Sequence, residues 1–123
     1  MEEEKRAVLA KIARALSDPM RLQILDILAQ GRDASCVSSP HPQLPHAVCP
    51  YLDVLPKLKN ISTSKLSYHL KELHEAGLVV EHRLGKQVFY FVNHKTLELL
   101  LETVTVRYLL PSVSSERSEK ELS

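Results

Sequence analysis

NISTSKLSYHLKELHEAG, residues 60–77, reads as a turn, an amphipathic helix and a glycine that closes it. Ser62 suits the N-cap, because its hydroxyl can accept from the free backbone N–H groups of the first helical turn. Gly77 suits the stop, because glycine enters the left-handed conformation without the steric penalty of a Cβ. At about 100° per residue, Leu66, Leu70 and Leu73 fall within a stripe of about 60°. Ser64, Ser67, Tyr68 and Lys71 fall on the opposite side. A merely solvated face would show plain Glu and Lys. This one shows hydroxyls, an aromatic ring and a lysine, a mixture suited to lying against DNA while the leucines dock on a core.

Upstream, residues 3–17 read as a first helix with Val8, Leu9, Ile12, Ala13 and Leu16 on one broad face. Ser17-Asp18-Pro19 is a break and a restart. Asp18 can cap, and Pro19 suits the first helical position, where a backbone N–H would have no partner. The second helix runs to about Gln30 and ends at Gly31. Residues 32–50 hold Pro40, Pro42, Pro45 and Pro50, which forbid a regular helix and predict a long loop. A short third helix is expected from about Tyr51 to Leu58, with Pro56 disturbing it.

Downstream of Gly77 the period changes. Residues 78–83 and 87–92 read as two strands rich in branched and aromatic side chains, joined by the short turn Leu84-Gly85-Lys86. Two strands alone are marginal in water, so this hairpin must pack on the helices. A last helix is expected from Asn93 or His94 to about Leu110, carrying Leu97, Leu100, Leu101, Val104 and Tyr108, with Pro111 ending it. The predicted fold is mainly α with a small β-hairpin, in the order α-α-(loop)-α-α-β-β-α: a winged helix-turn-helix. One domain is expected over residues 1–111. The serine- and charge-rich tail 112–123 is expected to be disordered.

With 123 residues the chain is one domain with one modest core, a size at which dimerisation is common. Its net charge is only +1, but the charge is unevenly placed. Residues 57–95 hold seven Lys/Arg against three acids, hence +4, and the remainder carries −3. A basic middle between acidic ends is a local footprint for phosphates. No run approaches the roughly 20 apolar residues that span a bilayer, and the acidic N-terminus lacks an apolar signal segment. A cytoplasmic protein with no membrane partner is expected, and its two cysteines then read as thiols or ligands. An enzyme is disfavoured: there are three glycines, no Gly-rich phosphate loop and no nucleophile with a visible base partner. His74, Glu75 and His82 read as solvated surface.

ALSDPMRLQILDIL (15–28), STSKLSYHLKELHEAGLVV (62–80) and the wing RLGKQVFYFV together resemble the ArsR/SmtB family of bacterial transcriptional repressors, in one order from residue 5 to about 110. The resemblance implies a homodimer joined through the first and last helices. It also implies a palindromic double-stranded DNA operator and release by an inducer, often a metal or metalloid. Carried onto this chain, the recognition helix is Thr63–Ala76. DNA contacts are expected from Ser62, Thr63, Ser64, Ser67, Tyr68 and Lys71, and from Arg83, Lys86 and Gln87 at the wing. Family members often have histidine where Tyr68 stands. His69 matches another family histidine, and the helical wheel sets it at the edge of the buried stripe, which favours packing over base contact.

The chain departs from the family at the inducer. The Cys-x-Cys pair that opens the family's third helix is absent. The last helix offers His94 with Glu98 and Glu102, which does not reproduce the family's other metal site and reads as a helix start with solvated charges. In their place stands the loop with Cys36, His41, His46 and Cys49, separated by four, four and two residues. Two sulfurs and two imidazoles are the donors that zinc or an arsenite-like thiophilic ion prefers. The spacing matches no fixed motif. Three readings therefore stand open: a thiophilic metal or metalloid site, a reversible thiol pair sensing oxidants, or a variable insertion that binds nothing. A winged-helix protein-interaction module without inducer sensing is the alternative to the DNA reading as a whole.

Overall fold

The computed structural model describes residues 2–110; the expected tail 112–123 lies outside them. Helices α1 (Glu2–Leu16) and α2 (Pro19–Gln30) meet at the predicted break. Asp18 caps α2, its carboxylate accepting from the N–H of Met20 at 2.8 Å and of Arg21 at 3.4 Å. Burial raises the Asp18 pKa, but these N–H groups, with the charges of His69 and Arg21, outweigh it and hold the carboxyl below its usual value. Gly31 closes α2 at φ 76°, its N–H shared between the carbonyls of Ile27 and Leu28. A Cβ there would sit 3.1 Å from the Cβ of His46, so the glycine also admits the returning loop.

Helix α3 (Thr63–Glu75) is the predicted recognition helix. The Ser62 hydroxyl accepts from the Lys65 N–H at 3.1 Å. At the far end the Gly77 N–H bonds the His74 carbonyl and the Leu78 N–H bonds the Leu73 carbonyl, which closes the helix as a Schellman motif. Leu66, Leu70, Leu73 and Leu78 are fully buried. The turn into α3 places Asn60 at φ 57°, a conformation that asparagine tolerates better than most residues.

The expected helix over 51–58 is not one α-helix. The chain makes a π-helical turn at Pro50–Val54 and a 3₁₀ turn at Leu55–Lys57. Two prolines within seven residues remove the donors that a regular ladder needs. The hairpin pairs β1 (Val79–Leu84) with β2 (Gln87–Val92), antiparallel, in the register Val79↔Val92 to Leu84↔Gln87. Its turn is narrower than expected, two residues rather than three, because Leu84 joins the ladder and Gly85 supplies the positive φ of 61°.

Within residues 1–93, α2 is the hub, touching α1, α3, β2 and the 50–54 turn. The loop's end joins the core. Val48 exchanges both backbone hydrogen bonds with Tyr90, at 3.2 and 2.9 Å, acting as a one-residue third strand. Ala47, Cys49 and Phe89 pack together beside it. On α1 only Ile12 and Ala15 are fully buried, and Val8 and Ala13 of the predicted face stay exposed. The unit beginning at His94 contains α4 (His94–Val104) and a π-helical turn (Thr105–Leu109) that completes the expected last helix. Neither holds a buried residue.

Candidate nucleic-acid interface

The outward face of α3 is as the helical wheel lays it out. Thr63, Ser64, Ser67, Tyr68 and Lys71 are exposed, and Ser62 is exposed with its hydroxyl engaged as the cap. Arg83 and Lys86 are exposed at the hairpin's far end, and Gln87 is half-buried beside them. The Arg83 guanidinium lies 3.6 Å from Glu81 and its side chain remains 70% exposed, so the pair restrains it only weakly. Lys71 and Lys86 make no ion pair with any described residue.

Between α3 and the hairpin lies an open cleft of about 310 Å³. Ser67, Lys71 and His74 line one wall; Glu81, Arg83, Val88 and Tyr90 line the other; Tyr51 closes one side. The Tyr90 hydroxyl donates to Glu81 at 2.6 Å. Burial and this acceptor push the Tyr90 pKa up, so the hydroxyl keeps its proton at any physiological pH.

Two side chains not anticipated from the sequence hold this face in place. Arg21 of α2 is buried, donates through Nε to Nδ1 of His69 at 3.2 Å, and sets its guanidinium 5.6 Å from the centre of the Tyr68 ring. His69 is thus a packing residue, as its place on the wheel indicated. Asp53 is the second. Its carboxylate, fully buried, accepts from the N–H groups of Val37 (3.0 Å), Ser38 (3.2 Å) and Cys49 (2.9 Å), from the Ser38 hydroxyl, and from Arg32 at 3.5 Å. Burial raises its pKa, but these donors outweigh that and hold it below the usual carboxylate value. Both residues had a legible signal. Each is a lone charge in an apolar run (PMRLQIL, YLDVL), and a charge that folds inward must be paired.

No family model matches the chain. Curated relatives do. An arsenical resistance operon repressor from Bacillus subtilis (strain 168) is 32% identical over 104 residues, covering 82% of this chain and 84% of the relative. The chain belongs to the ArsR family of transcriptional repressors. A second arsenical resistance operon repressor, from Staphylococcus xylosus, is 30% identical over 98 residues, covering 80% of this chain and 78% of the relative. An ArsR-like transcriptional regulator from Rhodococcus sp. RHA1 superposes with a TM-score of 0.63 at 20% identity, covering 97% of this chain and 91% of that one. A homodimeric winged helix-turn-helix DNA-binding domain from Mycobacterium bovis gives a TM-score of 0.60 at 23% identity, over 85% and 82%. These likenesses bear out the winged helix-turn-helix reading and the assignment as a regulator rather than an enzyme.

This ArsR-family member does not gather its loop Cys and His into a metal site. Among the described residues no group of three or more His, Cys, Asp or Glu side chains could hold a metal ion. His41 is buried, edge-on to the rings of His82 and Phe89, with Nδ1 accepting from the Gln43 N–H at 2.9 Å. His46 faces solvent. Cys49 is buried, and burial pushes its thiol pKa up against the opposing Ser38 hydrogen bond. Cys36 is half-exposed beside Asp33, whose carboxylate accepts from Lys57 at 2.6 Å and is held well below the usual range by that bond. Cys36, His41, His46 and Cys49 are therefore not brought together as one four-donor group among the described residues. Nearness in sequence placed them in one loop, and the core captured two of them.

Proposed function

We propose that this repressor binds a palindromic operator as a homodimer, each α3 entering a major groove about one helical turn from its mate. The observation that carries it is the continuous exposed face of Ser64, Ser67, Tyr68 and Lys71 on α3, with Arg83 and Lys86 at the wing and the lysines uncompensated. Ser64, Ser67 and Tyr68 contact base edges. Lys71, Arg83 and Lys86 contact phosphates, with Thr63 and Gln87 at the margins. Pairing through the first and last helices is supported by half-exposed Val8 on α1 and by Leu99, Leu101, Val106, Tyr108 and Leu109 along the last helix, all more than half exposed. Apolar side chains in such a row are usually covered by a partner.

Gel shifts on inverted-repeat and half-site duplexes at several salt concentrations test this. Affinity should require both half-sites and fall with a log–log salt slope near 0.9 per phosphate neutralised. A salt-indifferent affinity would favour the protein-interaction module instead.

The four loop donors are not gathered into one site among the described residues, so no release step is routed through a metal held by all four. The half-exposed Cys36 favours a thiol-reactive inducer acting on the loop. Its neighbour Asp33 is paired with Lys57 at the edge of the helix-turn-helix, so a group added at Cys36 disturbs that tie.

A further inference from the structure

The Tyr51 hydroxyl is hydrogen-bonded to the Ser67 hydroxyl, and both side chains are exposed on the cleft between α3 and the hairpin. Tyr51 belongs to no recognition element. It sits in the π-helical turn, whose ends are fastened by buried Pro50 and by Asp53 accepting from the Cys49 N–H. Its reach toward α3 is thus set by the core.

The direction of this bond follows from the two groups. A serine hydroxyl has one proton and two lone pairs, and a phenol is the more acidic partner. The phenol oxygen also shares a lone pair with its ring, which makes it the poorer acceptor. Either hydroxyl could donate in this geometry, and these preferences favour Tyr51 as the donor and Ser67 as the acceptor. The single Ser67 proton is left free to turn outward. A serine that reads a base can ordinarily donate or accept, and so discriminates little. Accepting from Tyr51 occupies one Ser67 lone pair and polarises its O–H, which makes the hydroxyl a stronger donor and a poorer acceptor toward the groove. It then favours a base edge presenting an acceptor, N7 or O6 of guanine, N7 of adenine or O4 of thymine, over the amino group of cytosine.

We infer that Tyr51 is a specificity-determining residue of this repressor, fixing the Ser67 hydroxyl as a hydrogen-bond donor toward one base of the DNA site. The inference rests on the reading that α3 enters the major groove. The test selects a bound consensus from a pool of randomised duplexes with the full-length dimer. It then measures wild type, Tyr51→Phe, Ser67→Ala and the double variant on a panel with each consensus position changed in turn. Tyr51→Phe keeps the ring and removes only the hydroxyl.

The expected result is that Tyr51→Phe and Ser67→Ala lose discrimination against cytosine at one and the same position, by about fivefold or more. The double variant should lose no more than Ser67→Ala, and the salt slope should be unchanged. A Tyr51→Phe profile identical to wild type overturns the inference. So does a loss equal on all sequences, which marks a merely structural role, or a change at a position that Ser67→Ala leaves alone. Absence of salt-dependent duplex binding by the wild type overturns the groove reading itself, and the inference with it.

Discussion

Arg21 and His69, 48 positions apart, meet in a buried hydrogen bond from Nε to Nδ1 at 3.2 Å. The bond requires a neutral imidazole, because a protonated Nδ1 would present a hydrogen to a guanidinium. Through it α2 grips α3 from behind, while the same guanidinium lies over Tyr68 on the exposed face.

This pair makes stability depend on pH. Burial chiefly, with the charges of Arg21 and Lys65, lowers the His69 pKa; Asp18 and Glu72 oppose this and do not prevail. A histidine depressed in the folded state binds more protons when unfolded, so stability is fully present above the unfolded value near 6.5 and is lost as pH falls below it toward the folded value. The melting temperature should drop between about pH 7 and 5. His69→Gln keeps an acceptor for Arg21 without titrating, and the difference between wild type and His69→Gln should shrink to zero slope above about pH 7. Equal slopes for both proteins throughout would remove His69 as the cause.

Asp53 should be the most sensitive residue of the loop's anchorage. Asp53→Ala leaves the Val37, Ser38 and Cys49 N–H groups and the Arg32 charge without their acceptor. We expect a loss of about 3 kcal/mol in urea unfolding, together with new protease cleavage within residues 32–50. A loss below about 0.5 kcal/mol would show the surface-like tolerance expected of an unanchored loop.

On the proposed function, Lys71 and Tyr68 should divide the work on DNA. Lys71→Ala should weaken binding to all duplexes alike and reduce the salt slope by about one. Tyr68→Ala should alter the ranking of duplexes at nearly constant slope. Quantitative gel shifts at a series of salt concentrations separate the two, and identical behaviour of both variants would contradict the division.

The two thiols should differ in reactivity. Cys36 is half-exposed, whereas Cys49 is buried with its pKa pushed up, and the thiolate is the reactive form. Mass-resolved alkylation of the native protein should label Cys36 first by at least about tenfold in rate. Cys36→Ser should abolish any release of DNA by a thiol-reactive inducer while leaving DNA affinity intact. A release that survives Cys36→Ser would place sensing elsewhere.

What the chain declares locally, it declares in full. The Asp18-Pro19 restart, the Ser62 cap, the Gly31 and Gly77 stops and the 66/70/73 leucine stripe are written within a few residues, because capping bonds and glycine's freedom act over one helical turn. Those signals were enough for the winged helix-turn-helix and for the outward face of α3. The loop was not legible in the same way. Its shape depends on Asp53 reaching back 15 or 16 positions, on Val48 pairing with Tyr90, and on His41 packing against Phe89. No periodicity encodes such partners. Four metal-binding side chains in one loop suggested a centre, yet desolvation drew His41 and Cys49 inward and left His46 in water. The hydrogen bond between Tyr51 and Ser67 belongs to this second kind. Composition supplies a phenol and a hydroxyl, and only the packed turn at 50–54 decides that they meet.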